Sequence, residues 1–78
     1  MANYTISFQN DDTGRTRQIA EAPTLVEARQ LRVKKATAII KRQGMDKEDE
    51  LAALEEIRRN KNKWVEWNGL HFVIEKVA

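Results

Sequence analysis

The dipeptide Asn68-Gly69, set between two runs of alternating residues, constrains the fold of this chain more than any other feature. Asn-Gly in such a setting is the strongest short-range signal for a β-hairpin with a two-residue loop. Residues directly opposite each other in a hairpin lie on the same face of the sheet. The predicted core face carries Val65, Trp67, Leu70, Phe72 and Ile74, and the opposite face carries Trp64, Glu66, His71, Val73 and Glu75.

The N-terminal segment predicts a second hairpin. It alternates apolar and polar residues, which is typical of a half-buried strand. The next five residues are rich in Asn, Asp and Gly, and we interpret Asp11 and Asp12 as turn residues with no other role. A polar return strand over residues 15–20 then places Ile6 opposite Ile19 on the core face.

Two helices are predicted between the hairpins. Thr24 and Glu27 have the spacing of a capping box, which predicts a helix over residues 25–43. Gly44 supplies the left-handed residue that ends such a helix. Asp46 is expected to cap a second helix that has acids in its first turn and arginines in its last.

Both predicted helices have apolar stripes. The first is apolar on a broad side that includes Val26 and along a second, narrower stripe, so we expect it to contact two neighbours. In the second helix, Leu51, Leu54 and Ile57 recur at every third position and predict one buried stripe.

The resulting order of elements is β-β-α-α-β-β in a single α+β domain over residues 1–78. Because only two residues separate the helices, they must form an antiparallel αα-hairpin. The simplest arrangement is a four-stranded antiparallel sheet with both helices on one face. A chain of 78 residues has a small core, so a partner or a second copy could contribute to its stability.

The composition argues against an enzyme. The chain has no cysteine, His71 is its single histidine and Ser7 its single serine. Standard nucleophile–base pairs and multi-histidine metal sites therefore cannot be assembled. We expect no catalytic residues, no metal site and no cofactor, and we interpret His71 as one half of a solvated cross-strand pair with Glu66.

Location and biological class are predicted from coarse features. The chain begins without a secretory signal pattern and contains no apolar run of membrane-spanning length, so we expect a cytoplasmic protein without membrane contact. Its small size, mixed charge and lack of catalytic groups are also typical of phage or mobile-element accessory proteins.

The first functional hypothesis is an interaction module that binds a protein partner or itself. It follows from the apolar residues left on the polar side of the C-terminal hairpin, because an exposed Trp often anchors a protein interface. The opposing interpretation is that Trp64 only packs on Val73 across the hairpin. The candidate protein-binding residues are Trp64, Val73, His71 and Glu66.

The alternative hypothesis is a DNA- or RNA-binding protein. The predicted first helix has a local charge of +5, whereas the whole chain carries only +2. Acids of the second helix can neutralise part of this charge, and exposed ion pairs of that kind contribute only about 0–1 kcal/mol each. The candidate nucleic-acid-binding residues are Lys34, Lys35, Lys41 and Arg42, with Arg58, Arg59, Lys61 and Lys63 in support.

Two arginines of the first helix, Arg29 and Arg32, project from its apolar side. Long arginine stems can lie on apolar surface while the guanidinium reaches water. We therefore expect both side chains to extend to solvent, with a grip on a partner's carboxylate or phosphate as the alternative.

Overall fold

The computed structural model describes residues 3–77 and confirms the α+β fold with the order β-β-α-α-β-β. The four strands form one antiparallel sheet in the order β2-β1-β4-β3, so the first and last strands of the chain lie side by side in its centre. The elements are β1 (Tyr4–Asn10), β2 (Arg15–Ala22), α1 (Leu25–Arg42), α2 (Lys47–Arg59), β3 (Trp64–Trp67) and β4 (Leu70–Lys76).

The C-terminal hairpin has the predicted register. Trp64 lies opposite Val73 and Trp67 lies opposite Leu70, with Asn68 and Gly69 between them. Asn68 has φ 49° and Gly69 has φ 83°. Positive φ at both loop residues is the geometry of a type I′ turn, whose twist matches that of the strands it joins.

The N-terminal hairpin differs from the prediction by one residue. A β-bulge after Ile6 shifts the register, so Ile6 lies opposite Ala20 and the predicted pairing with Ile19 is wrong. The extra residue in β2 keeps Ile19 packed towards the helices. It also brings Ala20 and Ala22 onto the helix-covered side, where small residues let α1 approach the strand.

Helix α1 begins as the capping chemistry predicts. The Thr24 hydroxyl accepts a hydrogen bond from the Glu27 N–H at 3.2 Å. The helix ends at Arg42, one residue earlier than predicted, and Gly44 follows with φ 71°. For α2 the predicted cap is wrong in detail, because the Asp46 side chain makes no capping hydrogen bond.

The buried side of α2 is rotated relative to the predicted stripe. Ala53 and Ile57 are buried and Leu54 is half-buried, but Leu51 is 56% exposed. On α1, Val26 is likewise exposed although its position on the apolar side predicted burial. A small residue at position 53 allows α2 to pack closely, which leaves Leu51 at the edge of the contact.

The core lies between the helices and one face of the sheet. Phe72 of β4 is fully buried, and Phe8 of β1 stacks on it with ring centroids 5.2 Å apart. Because the helices use this face, the other face of the sheet is left without a cover among residues 3–77. The apolar residues that are less than 3% exposed are Ile6, Ala22, Ala28, Ala36, Ile40, Ala53, Ile57, Val65, Phe72 and Ile74.

Candidate functional site

The uncovered side of the sheet, named here the open face, is a grid of twelve residues. Eleven of them form three rows that cross the strands in the order β3, β4, β1 and β2. The third row has no residue from β3, because that strand begins at the second row. The grid spans about 14 Å across the strands, since neighbouring strands lie about 4.8 Å apart. The rows are Glu66–His71–Gln9–Thr16, Trp64–Val73–Ser7–Gln18 and Glu75–Thr5–Glu21, with Asp11 beside the first row completing the twelve.

The open face is acidic. Its residues include the carboxylates of Glu21, Glu66, Glu75 and Asp11, and these twelve positions contain no lysine or arginine. The whole chain, by contrast, has a net charge of +2. The positive charge therefore lies outside this face, chiefly on α1, and the open face presents a field that repels phosphate.

Trp64 is the main apolar residue of the open face. It is 59% exposed. Its indole N–H donates a hydrogen bond to Nδ1 of His71 at 2.9 Å, and the two rings meet edge to face with centroids 5.7 Å apart. Trp64 is opposite Val73 in the ladder, but its specific contact is with the diagonal neighbour His71.

His71 is held from both sides. Its Nε2 lies 3.0 Å from Oδ1 of Asp11, and only 16% of its side chain is exposed. Because an indole can only donate, Nδ1 of His71 must be the acceptor. The neutral imidazole then carries its proton on Nε2 and donates it to Asp11, so both ring nitrogens are occupied.

Glu66 does not form the predicted pair with His71. The two residues are opposite each other in the ladder, but Oε2 of Glu66 accepts a hydrogen bond from the Gly69 N–H at 2.9 Å. The carboxylate thus closes the hairpin loop. The predicted solvated pair is replaced by the ordered contacts of His71 with Trp64 and Asp11.

Asp11 is the site residue that sequence reasoning missed. The sequence predicts a turn role alone for it, whereas its side chain contacts His71, and its N–H donates to the Gly69 carbonyl at 2.9 Å. This contact depends on the pairing of β1 with β4. The local sequence contains no signal for that pairing, because the two strands are separated by both helices.

The basic residues of α1 extend along its exposed side. Lys35 and Arg42 meet Arg17 of β2 around a shallow groove of about 320 Å³. Arg17 also places its guanidinium 6.0 Å from the centre of the Phe8 ring. Lys34 and Lys41 are exposed on the same helix, so the four predicted basic residues of α1 form one positive strip with Arg17 at its side.

The second basic cluster lies elsewhere. Arg58 and Lys61 line a groove of about 220 Å³ with Arg29, near the beginning of α1. This groove shares no lining residue with the groove around Arg17, Lys35 and Arg42. The two predicted basic groups therefore line separate grooves. Arg59 is paired with Glu56 at 3.0 Å, and Lys63 is exposed just before β3.

Arg32 corrects another prediction, because it does not reach water. The residue is only 1% exposed, and its guanidinium donates to the carbonyls of Asn60 (2.9 Å) and Asn62 in the segment between α2 and β3. Burial, and secondarily the positive charge of Arg29, lower the pKa of Arg32 from its ordinary value. Arg32 thus ties α1 to the segment that leads into Trp64.

Neither a metal site nor a membrane span is found within residues 3–77. No group of three or more potential metal ligands comes together there. No helix in that part of the chain has the length and apolar character needed to cross a bilayer.

Comparisons with protein-family models, with curated proteins and with solved structures found no significant match for this chain.

Proposed function

We propose that this protein is a non-enzymatic interaction module whose open face binds a protein partner with a basic surface. The observation that carries the proposal is the exposed Trp64, fixed by His71 on an acidic and uncovered sheet face. The cytoplasmic location predicted from the sequence, and an origin in a phage or mobile element, stay predictions.

The fixed geometry of Trp64 favours binding. Ordering a flexible side chain at an interface costs about 0.5–1.5 kcal/mol, and a side chain that is already ordered avoids most of that cost. The hydrogen bond to His71, itself anchored by Asp11, restrains the indole while leaving its ring accessible. Trp residues are common among the hot-spot residues that contribute most of the binding free energy of a protein interface.

The charge of the open face indicates the chemistry of the partner. The carboxylates of Glu66 and Glu75 lie in the rows on either side of Trp64 and Val73, and the twelve residues of the face include no lysine or arginine. Proteins that bind single-stranded nucleic acid on a sheet combine aromatic residues with positive charge, and this face lacks the positive charge. Complementarity favours a partner that presents an apolar side chain flanked by lysine or arginine.

The size of the open face favours a single element of the partner, such as one strand or helix. A grid about 14 Å wide and about 14 Å along the strands covers roughly 200 Å², much less than the roughly 800 Å² that each partner buries in a standard interface. A second copy is the less favoured occupant. Contact between the acidic face of one copy and the basic strip of the next would be head-to-tail, and such contacts grow into open chains unless they close into a ring.

His71 also supports a non-catalytic role. A general base needs a free nitrogen within reach of the proton it removes. Nδ1 of His71 accepts from Trp64 and Nε2 contacts Asp11, so neither nitrogen is free. The histidine is better suited to positioning the indole than to proton transfer.

The test is affinity capture from a nuclease-treated lysate of the source organism with three baits. These are the wild type, Trp64→Ala, and the control Lys35→Gln/Arg42→Gln, which alters only the exposed basic strip. We expect a partner that is retained by the wild type and the control and lost by Trp64→Ala. Equal capture by all three folded baits would contradict the proposal, and sedimentation velocity of the wild type alone would reveal self-association.

A second candidate function is nucleic-acid binding through the basic strip. The convergence of Arg17 from β2 with Lys35 and Arg42 from α1 around one groove supports it, because lining residues 17, 18, 19, 35, 38, 39 and 42 include no acid. Contacts of this kind would be with phosphates and would carry little sequence information.

This candidate is tested by titrating duplex DNA and single-stranded RNA at two salt concentrations. Binding through phosphates must weaken steeply as salt rises. Lys35→Gln/Arg42→Gln should then reduce both the affinity and the salt dependence, while Trp64→Ala leaves both unchanged. Absence of binding at low salt would remove the candidate.

A further inference from the structure

We propose that the groove between the beginning of α1 and the end of α2 is a binding site for a phosphate-type oxyanion. Arg29, Arg58 and Lys61 would hold the anion above the buried charge of Arg32. This site is separate from the open face and from the basic strip, and it goes beyond the proposed function.

The composition of the groove is the first support. Four of its eight lining residues are cations, and the other four are Gln30, Val33, Ile57 and Asn60, so the lining contains no carboxylate. Within residues 3–77, none of the four cations takes part in an ion pair. The nearby Glu56 is not free to neutralise them, because its two oxygens accept from Arg59 and Asn60.

The burial of Arg32 is the second support. A buried charge is costly unless it is paired, and here the guanidinium meets only two neutral carbonyls. Its Nε atom, and that of the half-buried Arg29, are shielded from solvent and have no hydrogen-bond partner within residues 3–77. In a medium of low polarity the positive field of Arg32 is poorly screened, and it extends into this groove because Arg32 is one of the lining residues.

The shape of the groove suits a small anion. Its volume of about 220 Å³ accommodates a single phosphate group with water around it. Arg58 and Lys61 are exposed and lie at its rim, so their long side chains can close over an anion from outside. A phosphate accepts several hydrogen bonds at once, which matches the planar fork of an arginine.

The test is a nuclear magnetic resonance titration of the whole chain with inorganic phosphate, at constant ionic strength set with chloride. We expect backbone amide shifts at residues 58–62 that saturate at millimolar phosphate. The variant Arg58→Gln/Lys61→Gln changes only exposed side chains and should lose saturation. The control Lys41→Gln/Arg42→Gln removes the same amount of charge about 18 Å from Arg29 along α1, which is beyond the screening length. This control should retain saturation.

A parallel titration with a short oligothymidylate distinguishes the two sources of phosphate. Saturation of the same amides at lower concentration than with inorganic phosphate would identify a phosphodiester as the ligand, whereas saturation by inorganic phosphate alone would identify the free ion. Either result supports the site if Arg58→Gln/Lys61→Gln abolishes it. Shifts that grow linearly with phosphate, or that are the same in this variant, would overturn the proposal.

Discussion

The indole N–H of Trp64 donates to Nδ1 of His71 at 2.9 Å across the diagonal of the C-terminal hairpin. An exposed aromatic ring is thereby held in one orientation by a neighbour that is itself held by Asp11 at 3.0 Å. The chain of three side chains crosses from β3 through β4 to the loop after β1. It links an accessible tryptophan to the central strand pairing of the sheet.

Replacing His71 by Ala should release the indole without unfolding the protein. The ring would lose its acceptor and its edge-to-face neighbour, so its motion should increase. In a Trp67→Phe background, where Trp64 is the remaining tryptophan, fluorescence anisotropy should fall. Gln9→Ala, which alters the residue beside His71 in the same row, is the matched control and should leave the anisotropy unchanged. An unchanged signal in both variants would contradict the role of His71.

Gly69→Ala should destabilise the protein more than Gly14→Ala. Both glycines have positive φ, which costs an alanine about 1–2 kcal/mol. A Cβ at Gly69 would also lie 3.3 Å from Cβ of Asp11, whereas a Cβ at Gly14 would meet nothing within 4 Å. Urea unfolding of the two variants measures the difference. Equal losses would show that the approach of Asp11 to Gly69 is not a constraint.

Arg32→Met should reduce the free energy of unfolding by about 1–3 kcal/mol, because the two part-buried hydrogen bonds to the carbonyls of Asn60 and Asn62 are lost. Arg32→Lys should recover little, since one ammonium cannot reproduce the fork of a guanidinium. The exposed control Arg42→Lys should change stability by less than about 0.5 kcal/mol.

The effect of Arg32→Met should not depend on pH near neutrality. Burial lowers the pKa of Arg32, so deprotonation would begin at a lower pH than for a free arginine. A guanidinium nevertheless stays charged throughout the neutral range. Denaturant unfolding at several pH values checks this, and a loss that varied with pH there would point to a different titrating group.

Leu51→Ala and Ile57→Ala test which side of α2 is buried. Ile57 is 1% exposed, and its truncation should cost about 2–5 kcal/mol through lost burial and an unfilled cavity. Leu51 is mostly exposed, so the same change there should cost under about 0.5 kcal/mol. Similar losses of unfolding free energy at both positions would support the buried stripe predicted from their spacing and contradict the observed orientation of α2.

The features predicted correctly from the sequence are those that depend on neighbouring residues. Asn68-Gly69 needs positive φ at both positions and so determines the hairpin and its register. Thr24 and Glu27 determine where α1 begins. Such interactions are complete within a few residues, and the physical chemistry of the segment is sufficient to predict them.

The features that were missed depend on distant parts of the chain. The contact of Asp11 with His71 exists because β1 pairs with β4, and the burial of Arg32 exists because the segment after α2 passes over it. The bulge after Ile6 places Ala20 and Ala22 on the side of the sheet that packs against α1. All three features depend on tertiary packing, which cannot be predicted from a local sequence pattern.

The most direct measurement of the central claim is the dissociation constant of the captured partner for three proteins: the wild type, Trp64→Ala and Lys35→Gln/Arg42→Gln. The account predicts that Trp64→Ala weakens binding at least tenfold, which corresponds to about 1.4 kcal/mol, while the double variant binds like the wild type. Unchanged affinity for Trp64→Ala, together with a large loss for Lys35→Gln/Arg42→Gln, would contradict it and place binding on the basic strip.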